Sequence, residues 1–312
     1  MKTQVKALVV GGGAVGTSIA YHLARAGWDD VMLLERDELT SWSTWHAAGL
    51  LPYFNMSYAT THIHDYSIKF YKKLEEETGL NAGFAVVGNL RMAQTSERME
   101  EYMLYASTAE TCGISYELIT PDEIKAKWPL IRTDDLKGAL YHQTDGYINP
   151  ADVTMAMAKG ARQRGVTIER KWQADAFHWN GKAWEVTATK MLEKGGNLVP
   201  SGEQVTITAE HVVTASGNHA QRTAKMLGIK MPAIPVEHQF IVMDQDLELV
   251  KFRAEGHAEH PVVRDADSQS YVREERGGWI LGVYEKGAPA CFEYGVPDSF
   301  RADLFQLDLE RI

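Results

Sequence analysis

Cysteine is nearly missing from this chain. Cys112 and Cys291 are the only two in 312 residues, far apart and in no C-x-x-C. That excludes a disulfide framework and a thiolate metal cluster, and it makes reduced, packed thiols the expectation. No apolar run approaches the roughly 20 residues needed to span a bilayer. A basic excess is lacking too: 32 Lys and Arg stand against 42 Asp and Glu, a formal charge of −10. Nucleic acid and anionic membrane surfaces would be repelled, so neither is expected as a partner. There is no internal repeat or low-complexity tract. The first strand begins too close to Met1 to leave room for a signal or transit peptide. The histidines lack ligand spacing; His62 and His64, two apart, point to different faces of a helix, and no metal is expected. What is left is a cytoplasmic enzyme, with 45% hydrophobic residues able to bury one large core or two smaller ones.

What is present is concentrated near the amino terminus. The apolar residues 5–10 end in Gly11-Gly12-Gly13-Ala14-Val15-Gly16, and a helical stretch follows to Ala26. Gly11 and Gly13 allow a tight strand-to-helix turn and close approach to a pyrophosphate, while Gly16 lets the helix pack on the sheet. The helix amino end offers N–H groups and a positive dipole end to phosphates. Glu35 closes the next apolar run, residues 31–34, roughly 20 residues on, where an acid accepts hydrogen bonds from a ribose. It would repel a 2′-phosphate, which disfavours NADP and leaves FAD and NAD open. Just beyond lies Ser43-Thr44-Trp45-His46-Ala47-Ala48-Gly49. A histidine fixed there would lie near the isoalloxazine or nicotinamide ring of the dinucleotide.

Farther along, residues 57–78 have helical spacing, with Ile63, Tyr66, Phe70 and Leu74 on one face and Gly79 as the stop. Residues 84–93 read as a strand pair around Gly88, and a helix runs from Ser96 toward Gly113. Thr120-Pro121-Asp122-Glu123 has the form of a capping box with proline at the first helical position. Asn149-Pro150 opens another helix, with Val153, Met157 and Ala161 inward and Gly165 closing it. Residues 166–168 then resume a β run, a βαβ rhythm that returns to the nucleotide sheet. Residues 184–189 and 205–209 alternate as strands of a small antiparallel meander, joined by a polar loop over 193–204. Residues 211–217 form an apolar strand ending in Ala215-Ser216-Gly217, small residues that let a cofactor approach the backbone. Strands are expected over 239–243, 271–274 and 279–284, and an amphipathic helix over 307–312.

In this order the motifs resemble the dimethylglycine/sarcosine dehydrogenase family, within the D-amino-acid-oxidase-like class of FAD-dependent amine oxidoreductases. The matching residues are the Gly11 to Gly16 loop, Glu35-Arg36, Leu39-Thr40, Ser43 to Leu50, Leu74 to Gly79, Asp145 to Pro150, Ala215-Ser216-Gly217, Pro235 to Gln239 and Tyr271 to Arg276. The resemblance implies an α/β fold: a Rossmann-like FAD-binding domain (1–83 and 141–235) interleaved with an antiparallel-sheet substrate domain (84–140 and 236–312). It also implies FAD contacts at Gly11, Gly13, Ala14, Val15, Gly16, Glu35, Arg36, Ser43, Thr44, His46, Ala48, Gly49, Leu50, Ala174, Ala215 and Gly217. In this family the histidine of the S-T-W-H-A-A-G run is bonded to the flavin 8α-methyl carbon, which makes His46 the covalent site. One residue departs from the pattern: Trp42 stands where the family usually has glycine. If that position needs positive φ, tryptophan would cost about 1–2 kcal/mol.

The substrate implied is a small N-methyl amino acid, dimethylglycine or sarcosine in type. A hydride equivalent passes from its N-methyl carbon to flavin N5, and the resulting iminium yields formaldehyde unless folate captures it. The amine must be unprotonated to react, which calls for a neighbouring base. His238, in the P-V-x-H-Q strand, matches the family's active-site histidine, with Tyr271 as the partner that orients it. A substrate carboxylate favours a forked arginine. Arg91 and Arg273 are the candidates, with solvated surface arginine as the alternative for each. Dioxygen or an electron-transfer flavoprotein would reoxidise the flavin. A non-catalytic flavoprotein that holds FAD or passes electrons stays open as the other reading. Family members continue past residue 312 with a segment that completes the FAD domain and a folate-binding region. The expectation is therefore a piece of a longer product, holding FAD weakly by itself and reaching folate only through the region absent here.

Overall fold

The computed structural model of the protein describes residues 1–53 and 57–311. Its elements in chain order are β1 (Gln4–Val10), α1 (Ala14–Arg25), β2 (Val31–Glu35), β3 (Leu50–Leu51), α2 (Tyr58–Thr78), β4 (Ala85–Val86), β5 (Asn89–Ala93), α3 (Ser96–Glu110), β6 (Glu117–Ile119) and α4 (Pro121–Lys127). The chain continues through β7 (Gly138–His142), β8 (Gly146–Tyr147), α5 (Pro150–Gln163), β9 (Thr167–Arg170), β10 (Trp172–Trp179), β11 (Trp184–Lys194), β12 (Asn197–Thr214) and α6 (Ala220–Met226). It finishes with β13 (Phe240–Val242), α7 (Leu247–Ala254), β14 (Val262–Asp265), β15 (Ser270–Glu275) and β16 (Gly278–Val283).

Six strands form the first sheet, in the order β10-β11-β12-β1-β2-β9. Strands β12, β1, β2 and β9 are parallel neighbours, while β10 and β11 attach as an antiparallel meander. Both faces of β1 and β2 are covered, which is why they read as unbroken apolar runs. Ala7, Val9, Val31 and Leu33 pack against α1, α2 and α5. Leu8, Val10, Met32 and Leu34, the alternate residues, pack with Trp172, Val186 and Ile207 of the meander. Helix α5 is started by the Asn149 carboxamide, which accepts from Ala151 and Asp152 N–H at 3.0 and 3.1 Å, with Pro150 at the first position. It lies close on α1: a Cβ at Gly160 would come within 2.5 Å of the Tyr21 ring.

The second sheet has the order β13-β16-β15-β14-β5-β7-β6, antiparallel except for the β14–β5 pair. A third, three-stranded ribbon has the order β3-β8-β4. The capping box is present at α4: Thr120 N–H donates to Glu123 Oε2 at 2.7 Å, and Glu123 N–H donates back to Thr120 Oγ1.

Four expectations from the sequence are corrected. The two strands around Gly88 do not pair with each other, since β4 joins the ribbon and β5 the second sheet. Residues 193–204 are no loose loop. They extend β11 and β12 into a hairpin closed by Gly195-Gly196, both at positive φ, so two glycines suffice to turn the chain. On α2, Phe70 and Leu74 are buried but Ile63 and Tyr66 are exposed; the buried positions toward its start are Thr61 and Ile68. The carboxyl-terminal run makes a single 3₁₀ turn, Leu309–Arg311, rather than a helix, and it is tied down by side chains. Arg311 pairs with Glu237 and Glu285 at 2.9 and 3.1 Å. Ile312 lies outside the described residues.

Candidate active site

The glycine turn joins β1 to α1 with no space to spare. Gly11 has φ +120°, and a Cβ there would sit 2.2 Å from the Ala215 carbonyl oxygen; one on Gly16 would sit 1.8 Å from that of Gly11. Both glycines are therefore required by close backbone packing. Glu35, buried at the end of β2, accepts Gly12 N–H at 2.6 Å through Oε2 and Asp37 N–H at 2.8 Å through Oε1. Burial still pushes its carboxyl above the ordinary value, against the pull of those two N–H groups. Each oxygen keeps a lone pair with which to accept a ribose hydroxyl. Thr44 Oγ1 accepts Ala14 N–H at 3.1 Å, so the Ser-Thr-Trp-His run is pinned on the amino end of α1. The N-cap there, Gly13, has no side-chain cap bond of its own.

A cavity opens above this turn. The expected residues Gly11, Gly13, Glu35, Arg36, Ser43, Thr44, Ala174, Ala215 and Gly217 line it together. Trp42, Gln173, His219 and Arg222 line it as well and were not legible beforehand. Ala14, Val15 and Gly16 form the first turn of α1 beside it, with Val15 exposed. Trp42 keeps a negative φ, and the feared strain does not arise; Thr40, two residues earlier, is the one at positive φ. The indole meets His219 edge-on at 4.6 Å between ring centroids and lies 5.5 Å from the Arg36 guanidinium. Arg36 Nη1 is 3.0 Å from His219 Nε2. Burial first, then Arg36 and Arg222, pull the His219 pKa down to about 3, so the ring is neutral at physiological pH. Trp42 Nε1 and Arg36 Nε and Nη2 are buried, and none has a hydrogen-bond acceptor among the described residues. Such donors are costly unless an acceptor arrives. Acceptor carboxylate, cations and unpartnered N–H groups together fit the adenosine diphosphate half of a dinucleotide.

His46, Ala48, Gly49 and Leu50 are not in that cavity but on the stretch leading into β3. His46 is half-buried between two carbonyls, with Nδ1 3.0 Å from Trp42 O and Nε2 3.3 Å from Asp303 O. Both carbonyl oxygens are acceptors, so whichever ring nitrogen carries an N–H can donate it to the oxygen it faces. Arg273 is not a solvated surface arginine: it is buried and already engaged. Its Nε donates to Ala48 O at 3.1 Å and its Nη1 to Glu275 at 2.8 Å, while its guanidinium covers the Tyr147 ring at 4.3 Å. It ties β15 to the His46 loop. Arg91, half-buried, lies over the Tyr105 ring at 4.7 Å.

His238 and Tyr271 come together in one aromatic cluster, 6.3 Å apart between centroids. Tyr284, unforeseen, joins both: it stacks on His238 at 5.2 Å and meets Tyr271 at 5.3 Å. Tyr271 is buried so closely that a Cβ on Gly282 would strike its ring. Burial, then the neighbouring Tyr284, push its phenol up to about 12, which keeps it a proton donor. His238 faces solvent from the segment preceding β13. Among the described residues, no group of three His, Cys, Asp or Glu side chains is placed to hold a metal. No helix among them is long and apolar enough to cross a membrane.

A family model described as FAD dependent oxidoreductase matches residues 6–310. The chain belongs to that family. FAD is the cofactor of that family. Rat (Rattus norvegicus) mitochondrial dimethylglycine dehydrogenase is 39% identical over 316 residues, covering 100% of this chain and 35% of that protein. The formaldehyde-forming 4-methylaminobutanoate oxidase of Paenarthrobacter nicotinovorans is 33% identical, over 91% of this chain and 32% of its own length. The chain spans about a third of the curated relatives it matches. Among solved structures, L-proline dehydrogenase from P. horikoshii superposes with a TM-score of 0.75 at 24% identity, covering 90% of this chain and 70% of that one. That likeness shows the shared fold.

Proposed function

We propose that this chain is the flavin-carrying part of an enzyme oxidising N-methyl amino acids of the dimethylglycine or sarcosine type. The observation that carries the reading is the placement of His46 on the loop leading into β3, with Nδ1 3.0 Å from the Trp42 carbonyl oxygen and, across the ring, Nε2 3.3 Å from that of Asp303. Its imidazole is the nucleophile for a covalent bond to the flavin 8α-methyl carbon. The relatives' names, dimethylglycine dehydrogenase and 4-methylaminobutanoate oxidase, support the substrate class.

Bound FAD supplies a two-electron acceptor, so that the amine leaves as an iminium, which water converts to formaldehyde or folate captures. The chain's own residues do the rest. His238 accepts the ammonium proton, and Tyr271, held protonated by burial, positions it through the shared aromatic cluster. Glu35 and the glycine turn hold the adenosine end, with Ser43 and Thr44 carrying the loop toward the ring. We assign 1–83 and 141–235 to the FAD-binding domain and 84–140 and 236–312 to the substrate domain, in a cytoplasmic protein reoxidised by dioxygen or an electron-transfer flavoprotein. The test is anaerobic addition of dimethylglycine, sarcosine and 4-methylaminobutanoate to the FAD-loaded protein. At least one should bleach the flavin, and His238→Ala should slow the bleaching. A flavin that none of the three reduces leaves a non-catalytic flavoprotein.

A further inference from the structure

We propose that the Trp42 indole N–H, with Arg36 and Arg222, forms an anion clamp that grips the diphosphate of the dinucleotide independently of the glycine turn. The proposal rests on the FAD reading of the cavity and goes beyond it in assigning the Trp42 indole N–H a ligand. Three buried donors at one corner, Trp42 Nε1 and Arg36 Nε and Nη2, have no hydrogen-bond acceptor among the described residues, and both residues line the cavity. An isolated orphan is an ordinary defect, but three together mark the place of an absent acceptor. Every one of them is a donor, and two belong to a planar guanidinium, which matches phosphate oxygens better than ribose or adenine.

The protein itself shows what this corner attracts. The Asp298 carboxylate, on a largely exposed side chain, reaches to 3.7 Å from Arg36 Nη2 and 3.5 Å from Arg222 Nη1. It stands as a weak internal anion where the diphosphate would be held. Glu35, the ribose acceptor, is committed on its other side to Gly12 and Asp37 N–H.

The test uses the full chain carrying His46→Ala and freed of flavin, so that no covalent cofactor blocks the cavity. Calorimetry follows ADP and, separately, adenosine. In this background Trp42→Phe keeps the ring against His219 and removes only the N–H. It should weaken ADP about tenfold or more while leaving adenosine unchanged. Asp298→Asn, which removes the competing carboxylate, should tighten ADP several-fold. Thermal unfolding of each variant at the parent temperature establishes that the fold is intact. Trp42→Phe binding ADP as the parent does, or losing ADP and adenosine equally, overturns the clamp, because the indole would then be a wall and not a donor. Unchanged or weakened ADP binding in Asp298→Asn also overturns it. A parent that binds neither ligand takes down the dinucleotide reading as a whole.

Discussion

Asp37 lies two residues beyond Glu35, and its work is to hold two distant segments together. Its buried carboxylate receives Arg301 Nε and Nη2 at 2.8 Å each and Lys171 Nζ at 2.6 Å. Burial alone would raise its pKa; the hydrogen bonds from Arg301 and Lys171 overcome that and hold it below the ordinary carboxylate range. With the folded value depressed, the stabilisation is fully present above the unfolded pKa and is lost as pH falls through the folded one. Asp37→Asn should cost about 3 kcal/mol at neutral pH, the low end for a broken buried pair because Lys171 and Arg301 keep some contact with water. In urea unfolding across pH, the gap between wild type and variant should hold steady at neutral pH and begin to close below about pH 4. A gap that widens in acid would show that Asp37 is not the ionised partner.

At the scale of elements, the junction of β1 with α1 and the link from β15 to the His46 loop are the two contacts that place the site. Gly16→Ala drives a methyl group into the Gly11 carbonyl. It should destabilise the protein by about 2 kcal/mol or more and abolish FAD retention, read by unfolding and by flavin content after gel filtration. Arg273→Met strands the Ala48 carbonyl and Glu275 and should cost about 3 kcal/mol. Flavin content should fall with it, since the loop bearing His46 loses its tie; normal flavin loading would refute that link. The sequence made β1, α1, β2 and α5 readable because glycine spacing, alternation and caps are local signals. The β11–β12 hairpin was not, because residues 193–204 are polar and only the Gly195-Gly196 turn betrays their pairing. The exposed start of α2 has the same origin: spacing identifies a stripe, but only tertiary packing decides how much of it is covered. At the site, the glycine turn was readable, whereas Tyr284 beside His238 and His219 beside Trp42 are long-range pairings that no local pattern carries.

Across the whole molecule, the ribbon and the second sheet meet at Asp145. Fully buried just before β8, it accepts Tyr53 N–H at 2.9 Å, Asn89 Nδ2 at 3.1 Å and His142 Nδ1 at 2.7 Å. Those partners belong to the stretch after β3, to β5 and to β7, so one carboxylate joins the ribbon to the second sheet. Asp145→Ala should destabilise by about 3–5 kcal/mol in urea unfolding, as expected for a broken buried network. A loss under about 1 kcal/mol would mean that the junction is held by other contacts. In the proposed reading, the loop bearing His46 and the His238–Tyr271–Tyr284 cluster serve the same flavin, and Arg273 of β15 ties that loop to the second sheet. Whether flavin stays with the protein after acid precipitation examines that arrangement directly. Peptide mass measurement should find FAD bonded to the fragment containing His46 in the wild type and unbonded flavin alone in His46→Ala. Flavin released whole from the wild type by acid, or retained by His46→Ala, would contradict the assignment of His46.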